Sequence, residues 1–478
     1  MLVNNSAVKN TASKPSETRF ARRSFTLMGS NMLKLLVQLA IIYIYSRKLS
    51  VLEYGQYQSV WLYLNVLSVL GLFGLPAMML STPFDTLKHW IYKHKLTFST
   101  ATILLYLLPF SYLFLSSSQF NPSSVFLLAA ITILQNIGIL AETVAIKMEK
   151  EWRLLLANLF FAGGYLLVHI VLLKMGYSLN RLLLGLMLLF LIKILLLPYS
   201  KKVSFPVSEQ EAGNALGKQW LYLGVFDVIG VLFKWLDKWL VLFFISLSQF
   251  AIYFNGSYEI PLFGLMLSAV GNVMLVELSK GKSGDAQLPQ NLFHQSAVFL
   301  GSLVFPAFCF LLFYHVDFFR LIFSSKYDDS IPIFFVSLFV LPLRITHFTV
   351  ALQVYQRNDL IVKGAILDLI LAIVFMVILY PLFQLKGIAL SFVLSTYVQA
   401  VYYLWHTSQI IKVPVVNLLP FKRLILMACI STLVMGITRY LSLGFSYPLS
   451  LICGVVTSLL LAASLLAFWF RKGIRKYF

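Results

Sequence analysis

WLYLGVFDVIGVLFKWLDKWLVLFFI, residues Trp220–Ile245, is apolar and long enough to cross a bilayer, yet it carries Asp227, Lys234, Asp237 and Lys238. A helix of about 20 residues spans the hydrocarbon core. Each charge at the centre of such a helix costs about 2.5–3.5 kcal/mol on the insertion scale. Four of them cost roughly 10 kcal/mol before any pairing. A stretch of this kind needs a polar interior to face. It predicts a membrane protein with a wet or charged path rather than a passive anchor.

Working outward, the composition agrees. The chain is 59% hydrophobic and only 12% charged, which no soluble domain of this length matches. Fourteen apolar spans are expected, near 24–46, 57–81, 98–115, 125–146, 154–173, 182–199, 220–245, 253–277, 296–314, 331–354, 364–382, 387–407, 424–441 and 448–470. The fold class is all-α and polytopic. Residues 1–23 are expected to form a cytoplasmic tail, and Arg22 and Arg23 precede a first span too long for a cleaved signal sequence. Cys309, Cys429 and Cys453 sit in apolar runs without metal-ligand spacing and are expected to be small core residues.

The net charge of +20 would suit nucleic acid if it were clustered, but it alternates with the spans. Of 38 lysines and arginines, 25 fall on the side of the amino terminus and 7 on the opposite side. By the positive-inside rule both termini are cytoplasmic. The basic excess is therefore a topology signal, and nucleic-acid binding is not expected.

The chain echoes itself weakly. Leu49–Trp61 (LSVLEYGQYQSVW) and Ser246–Tyr258 (SLSQFAIYFNGSY) align so that Gly55 matches Ala251. Ala145–Asn158 and Gln353–Ile366 form a second echo. A parallel repeat follows: an N-lobe over 24–200, a cytoplasmic linker over 201–219 and a C-lobe over 220–408. Two extra helices and a basic tail make up 409–478. In such repeats a site is expected between the halves near the midplane. Pro76, Pro109, Pro261, Pro306 and Pro342 lie inside spans and predict bends.

The charged residues define a candidate site. Asp227, Lys234 and Lys238 share a sector of about 40° on an ideal helix, and Asp237 is three residues from Lys234 and able to pair with it. Lys34 and Arg344 fall near the centres of their own spans. Near the midplane these cations have only Asp227 and Asp237 at similar depth, a local positive surplus that suits an anion. Farther out, Lys193 is matched by Glu142, Glu259 and Asp368. Interhelical salt bridges are the structural alternative. His347 follows Arg344 by three residues, as a proton relay or a structural histidine. Trp220, Trp235, Trp239, Tyr253 and Tyr258 are either sugar-stacking surfaces or interface packing. No metal-binding, phosphate-loop or nucleophile motif is present in the sequence, so an enzyme is not expected.

Several passages resemble one family. They are Gly29–Asn31 through Lys34, Ser46–Ser50 with Glu53–Tyr57, Asp237–Lys238 with Ala251–Tyr253, Tyr327, Gln356–Asn358 and Gly387–Ala389, in order along nearly the whole chain. They look like Wzx-type polysaccharide flippases of the multidrug/oligosaccharidyl-lipid/polysaccharide exporter superfamily. In the last motif Ala389–Leu390 replaces a more usual Gly-Ala pair. The resemblance implies two six-helix lobes around a cationic cavity, lined here by Lys34, Asp227, Lys234, Asp237, Lys238 and Arg344. It implies alternating-access movement of an undecaprenyl-pyrophosphate-linked oligosaccharide, an O-antigen or capsule/exopolysaccharide repeat unit. A polysaccharide polymerase and a chain-length regulator would be partners, along with membrane lipids. No cofactor is implied. A proton or sodium counter-ion is the candidate for coupling, through Glu259, Asp368, His347 or Glu142. The rivals are a cation-coupled multidrug exporter of the same superfamily and a membrane glycosyltransferase or polymerase. The longest external segment, near His315–Ser330, is short for the last class.

Overall fold

The computed structural model describes residues 36–82, 84–116, 120–148, 150–197, 212–280, 288–355 and 357–474. Lys34, the tail 1–23 and linker residues 201–211 lie outside them. The described residues are helical and contain no strand. That is what lipid dictates, because only a helix satisfies its own backbone where no water can. Nine of these helices are long and apolar enough to cross a membrane.

The helices are α1 (described over 36–48), α2 (Val51–Leu72), α3 (Leu75–Ser81), α4 (Phe84–Lys93), α5 (Lys95–Ser116), α6 (Pro122–Lys147), α7 (Glu151–Lys174) and α8 (Leu179–Leu196). There follow α9 (Ala212–Phe244), α10 (Leu247–Gly256), α11 (Pro261–Lys280), α12 (Leu288–Ile322), α13 (Ile331–Ser337) and α14 (Val350–Val354). The last are α15 (Asn358–Phe383), α16 (Leu385–Ile411), α17 (Val415–Leu418), α18 (Phe421–Leu441) and α19 (Tyr447–Ile474). Short 3₁₀ turns occupy Ser325–Ser330 and Leu338–Ile345.

Each expected span falls on helix where it is described, but three of them are broken. The second divides into α2 and α3 at Phe73 and Gly74, both with positive φ. Gly74 is irreplaceable there, since a Cβ would lie 2.5 Å from the Gly224 nitrogen. The eighth divides into α10 and α11 around Ser257–Ile260, with Pro261 opening α11. The tenth becomes α13, a 3₁₀ segment containing Pro342, and α14. The stretch between the second and third expected spans, which carries Lys88 and Lys93, is the amphipathic helix α4. It packs Leu87 and Trp90 against Met78, Leu216 and Trp220 and leaves its lysines exposed. A helix of this type lies along a membrane surface.

The chain divides into two compact units. The first comprises residues 1–48 and 59–232; the second comprises 49–58 and 233–478. In the first, α6 packs on α8, α7 on α8, and α3 on α6. The Lys147 ammonium reaches back to the Met79 carbonyl at 2.5 Å and also binds that of Thr82, capping the end of α3.

In the second unit α15 and α16 form a hairpin, and α12 is the hub for α18, α19 and the second 3₁₀ segment. The start of α2 docks here on α10. A Cβ on Gly55 would lie 2.7 Å from the Leu247 carbonyl oxygen and 3.3 Å from Ala251 Cβ. The two positions matched in the sequence echo therefore touch. Gln58 donates to Asn255 Oδ1 at 2.6 Å in the same crossing.

Arg439 of α18 is an anchor. It pairs with Asp317 of α12 at 2.6 Å, donates to Ser450 of α19 at 3.1 Å, and lies over the Tyr314 ring. Cys309 is buried, as expected of a core residue, whereas Cys429 is exposed and Cys453 only partly covered. In lipid an exposed thiol on a helix face carries no solubility penalty, so apolar sequence context did not imply burial.

Candidate functional site

The second unit contains a cavity of about 220 Å³ in which six charged residues meet: Lys234, Asp237, Lys238, Glu259, Arg344 and Asp368. Three different kinds of backbone deliver them. Lys234, Asp237 and Lys238 come from α9, and Asp368 from α15. Glu259 lies in the joint between α10 and α11, and Arg344 near the end of the 3₁₀ segment at a non-helical φ/ψ.

Asp237 is the fixed centre of the α9 contribution. It is 6% exposed. Its Oδ2 accepts from the Tyr253 hydroxyl at 3.0 Å and pairs with the Lys238 ammonium at 3.1 Å. The pairing expected between Asp237 and Lys234 is replaced by that with Lys238. Lys234 is exposed and has no ion pair among the described residues. Both ammonium groups approach the Trp235 ring, at 5.3 Å for Lys234 and 5.7 Å for Lys238, within cation–π range.

Arg344 Nη2 lies 3.9 Å from Glu259 Oε1. Depth counted along ideal helices puts these two residues far apart, Glu259 outer and Arg344 central. The count fails because both spans are broken, and a 3₁₀ segment rises about 2.0 Å per residue rather than about 1.5 Å. Asp368 is half-buried, with Oδ1 lacking a hydrogen-bond partner among the described residues. The cavity thus holds three cations and three carboxylates. The positive surplus expected from sequence is not a property of this cavity, because folding carries Glu259 and Asp368 into it.

The other expected residues lie elsewhere. Asp227 belongs to the first unit and is half-buried there. Glu142 pairs with Lys193 at 2.5 Å in the first unit, and the Lys193 ammonium lies over the Phe161 ring. Of the three carboxylates matched to Lys193 by sequence, Glu142 is its partner. His347 lines a separate cavity with Thr349, Gln399 and Tyr403, whose wall it shares with Arg344 and Thr396. Its Nδ1 is 3.2 Å from Thr349 Oγ1.

The aromatic residues divide by role. Tyr253 is completely buried and serves Asp237, so it offers no stacking face. Trp220 joins Trp90 and Phe98 in the first unit. Trp239 stacks on Phe243. Tyr258 lines the charged cavity and packs edge-on against Phe323. Sequence reasoning missed Phe334, Ser337 and Thr396, which complete the cavity. Nothing in their local sequence sets them apart; only Pro342, eight residues after Phe334, marked the broken backbone that exposes this region.

No family model and no curated protein matches the chain. Among solved structures, the chain is similar to the lipid II flippase MurJ in an inward closed conformation. The TM-score is 0.72 at 14% identity, covering 95% of this chain and 100% of that one. At this identity the likeness is one of fold, and the fold is that of a polytopic all-helical membrane protein.

Proposed function

We propose that this chain is a flippase for a polyprenyl-pyrophosphate-linked oligosaccharide, an O-antigen or capsule/exopolysaccharide repeat unit. It would work by alternating access in the bacterial inner membrane, with both termini in the cytoplasm. The observation that carries the reading is the likeness over 95% of the chain to a protein described as a lipid II flippase. The cavity supplies compatible chemistry. Arg344, Lys234 and Lys238 offer hydrogen-bonding cations to a pyrophosphate. Lys34 and Asp227 remain in the proposed substrate path on the strength of the sequence.

Movement of a negative headgroup outward gains about 2.3 kcal/mol per charge per 100 mV from an inside-negative potential. A proton or sodium counter-ion would add drive. Asp368 is the best placed of the coupling candidates, because it lines the cavity with an oxygen unsatisfied among the described residues. Glu142 is already engaged with Lys193. A polymerase and a chain-length regulator would act on the delivered product.

The test is reconstitution. The protein in proteoliposomes is expected to move a fluorescent lipid-linked oligosaccharide between leaflets. Lys34→Ala and Arg344→Ala are each expected to abolish that movement, and surface polysaccharide in cells, while the protein stays in the membrane. Normal surface polymer from both mutants would sink the proposal. A second reading, a cation-coupled drug exporter, draws on the three carboxylates and on Tyr258, Phe263 and Phe334 in the same cavity. Drug resistance conferred by the protein with no change in surface polymer would favour it.

A further inference from the structure

The three carboxylates of the charged cavity are held very differently. Asp237 is buried on α9 and clamped by Tyr253 and Lys238. Asp368 projects from the interior of the long helix α15, which fixes its backbone. Glu259 stands on the non-helical joint between α10 and α11, and its side chain is 75% exposed. Its ion-pair partner among the described residues is Arg344, at 3.9 Å. A well-made charge-assisted bond is about 2.7–2.9 Å long. The partner also stands on irregular backbone: Arg344 sits on a 3₁₀ segment with φ −80° and ψ 16°, two residues after Pro342. It also borders the second cavity with His347.

We propose that Glu259 is an exchangeable place-holder on Arg344. It occupies the guanidinium while the cavity is empty and yields it to the phosphate of an arriving headgroup. This deepens the flippase reading and rests on it.

The physical case has two sides. An unpaired guanidinium in a membrane-embedded cavity is costly, so a resident carboxylate lowers the cost of the empty state. A carboxylate oxygen at 3.9 Å uses little of the guanidinium fork, and loose, exposed pairs of this kind contribute little. A phosphate matches the fork with two parallel hydrogen bonds and carries more charge. It therefore displaces Glu259, whose return then helps to expel it. Asp237 cannot play this part, because its two partners hold it in place. The prediction is that removing the Glu259 charge strengthens anion binding, whereas removing an ordinary binding residue weakens it.

The experiment is titration of the purified full-length protein in nanodiscs with inorganic pyrophosphate, read by calorimetry. Glu259→Gln is expected to tighten binding by about five- to tenfold, the loss of one weak pair and one like charge. Asp329→Asn, which removes an exposed carboxylate outside the cavity, controls for general charge and is expected to leave the affinity unchanged. Arg344→Gln is expected to abolish binding. If Glu259→Gln binds no tighter than the unaltered protein while Arg344→Gln loses binding, the place-holder is wrong and the anion site stands. If Arg344→Gln binds as well as the unaltered protein, the anion site itself is wrong. A gain in Asp329→Asn equal to that in Glu259→Gln overturns the place-holder too, because the effect is then general electrostatics.

Discussion

Two ion pairs in this molecule involve the same chemistry and have opposite characters. Lys193 and Glu142 meet at 2.5 Å, with side chains 9% and 19% exposed, on the uninterrupted helices α8 and α6 of the first unit. Arg344 and Glu259 stand 3.9 Å apart, 33% and 75% exposed, on the broken spans of the second unit. Regular helix holds charged side chains at fixed azimuth and depth, so a facing pair closes tightly and becomes structure. Interrupted helix leaves its backbone groups and side chains facing a cavity, where a pair stays loose and open to exchange. Non-helical backbone at membrane depth is tolerated only where it is buried in protein or lines a cavity. The loose pair thus sits where chemistry is possible, and the tight one is structural.

The comparison breaks most visibly if function and stability fail to separate. Arg344→Gln is expected to lower transport of lipid-linked oligosaccharide in proteoliposomes by about a hundredfold, the loss of a desolvated charge contact. Its melting temperature should stay near that of the unaltered protein. Lys193→Met should do the reverse. It removes the Lys193 charge from Glu142 and should destabilise the fold by about 3 kcal/mol, read as a lower melting temperature in detergent. Adding Glu142→Gln to it should recover most of the loss, and no recovery would mean that the pair is not what Lys193 contributes.

Tyr253→Phe tests the fixed carboxylate of the cavity. Asp237 loses a buried donor, at a cost of about 1.5 kcal/mol measured by thermal unfolding. Asp359→Asn is the smallest change. Asp359 pairs with Arg357 at 3.0 Å on the exposed surface, and the melting temperature should not move. A drop there would undermine the use of exposure to rank these pairs.

Much of the fold was legible because lipid imposes a simple rule on sequence. Length and hydropathy located the spans. The prolines at positions 76, 261 and 342 marked the three breaks. Glu142 was one of three carboxylates matched to Lys193 by sequence, and it and Lys193 lie on regular helices, where counting residues gives depth. Counting failed for Glu259 and Arg344 because their spans are interrupted. It failed for Tyr253 because an aromatic ring on an apolar run gives no sign of the carboxylate its hydroxyl serves.

The sequence by itself determined that this chain crosses a membrane many times and carries ionisable groups too costly to face lipid. Hydrophobic length and charge cost are additive properties of the residues, and they need no partner to be read. Only the tertiary structure decided which charges share a cavity. It showed that the cations of the second unit meet three carboxylates there, and that Arg344 is shadowed by Glu259. Those facts depend on where helices break and which broken ends meet, and that is set by packing between residues far apart in the chain.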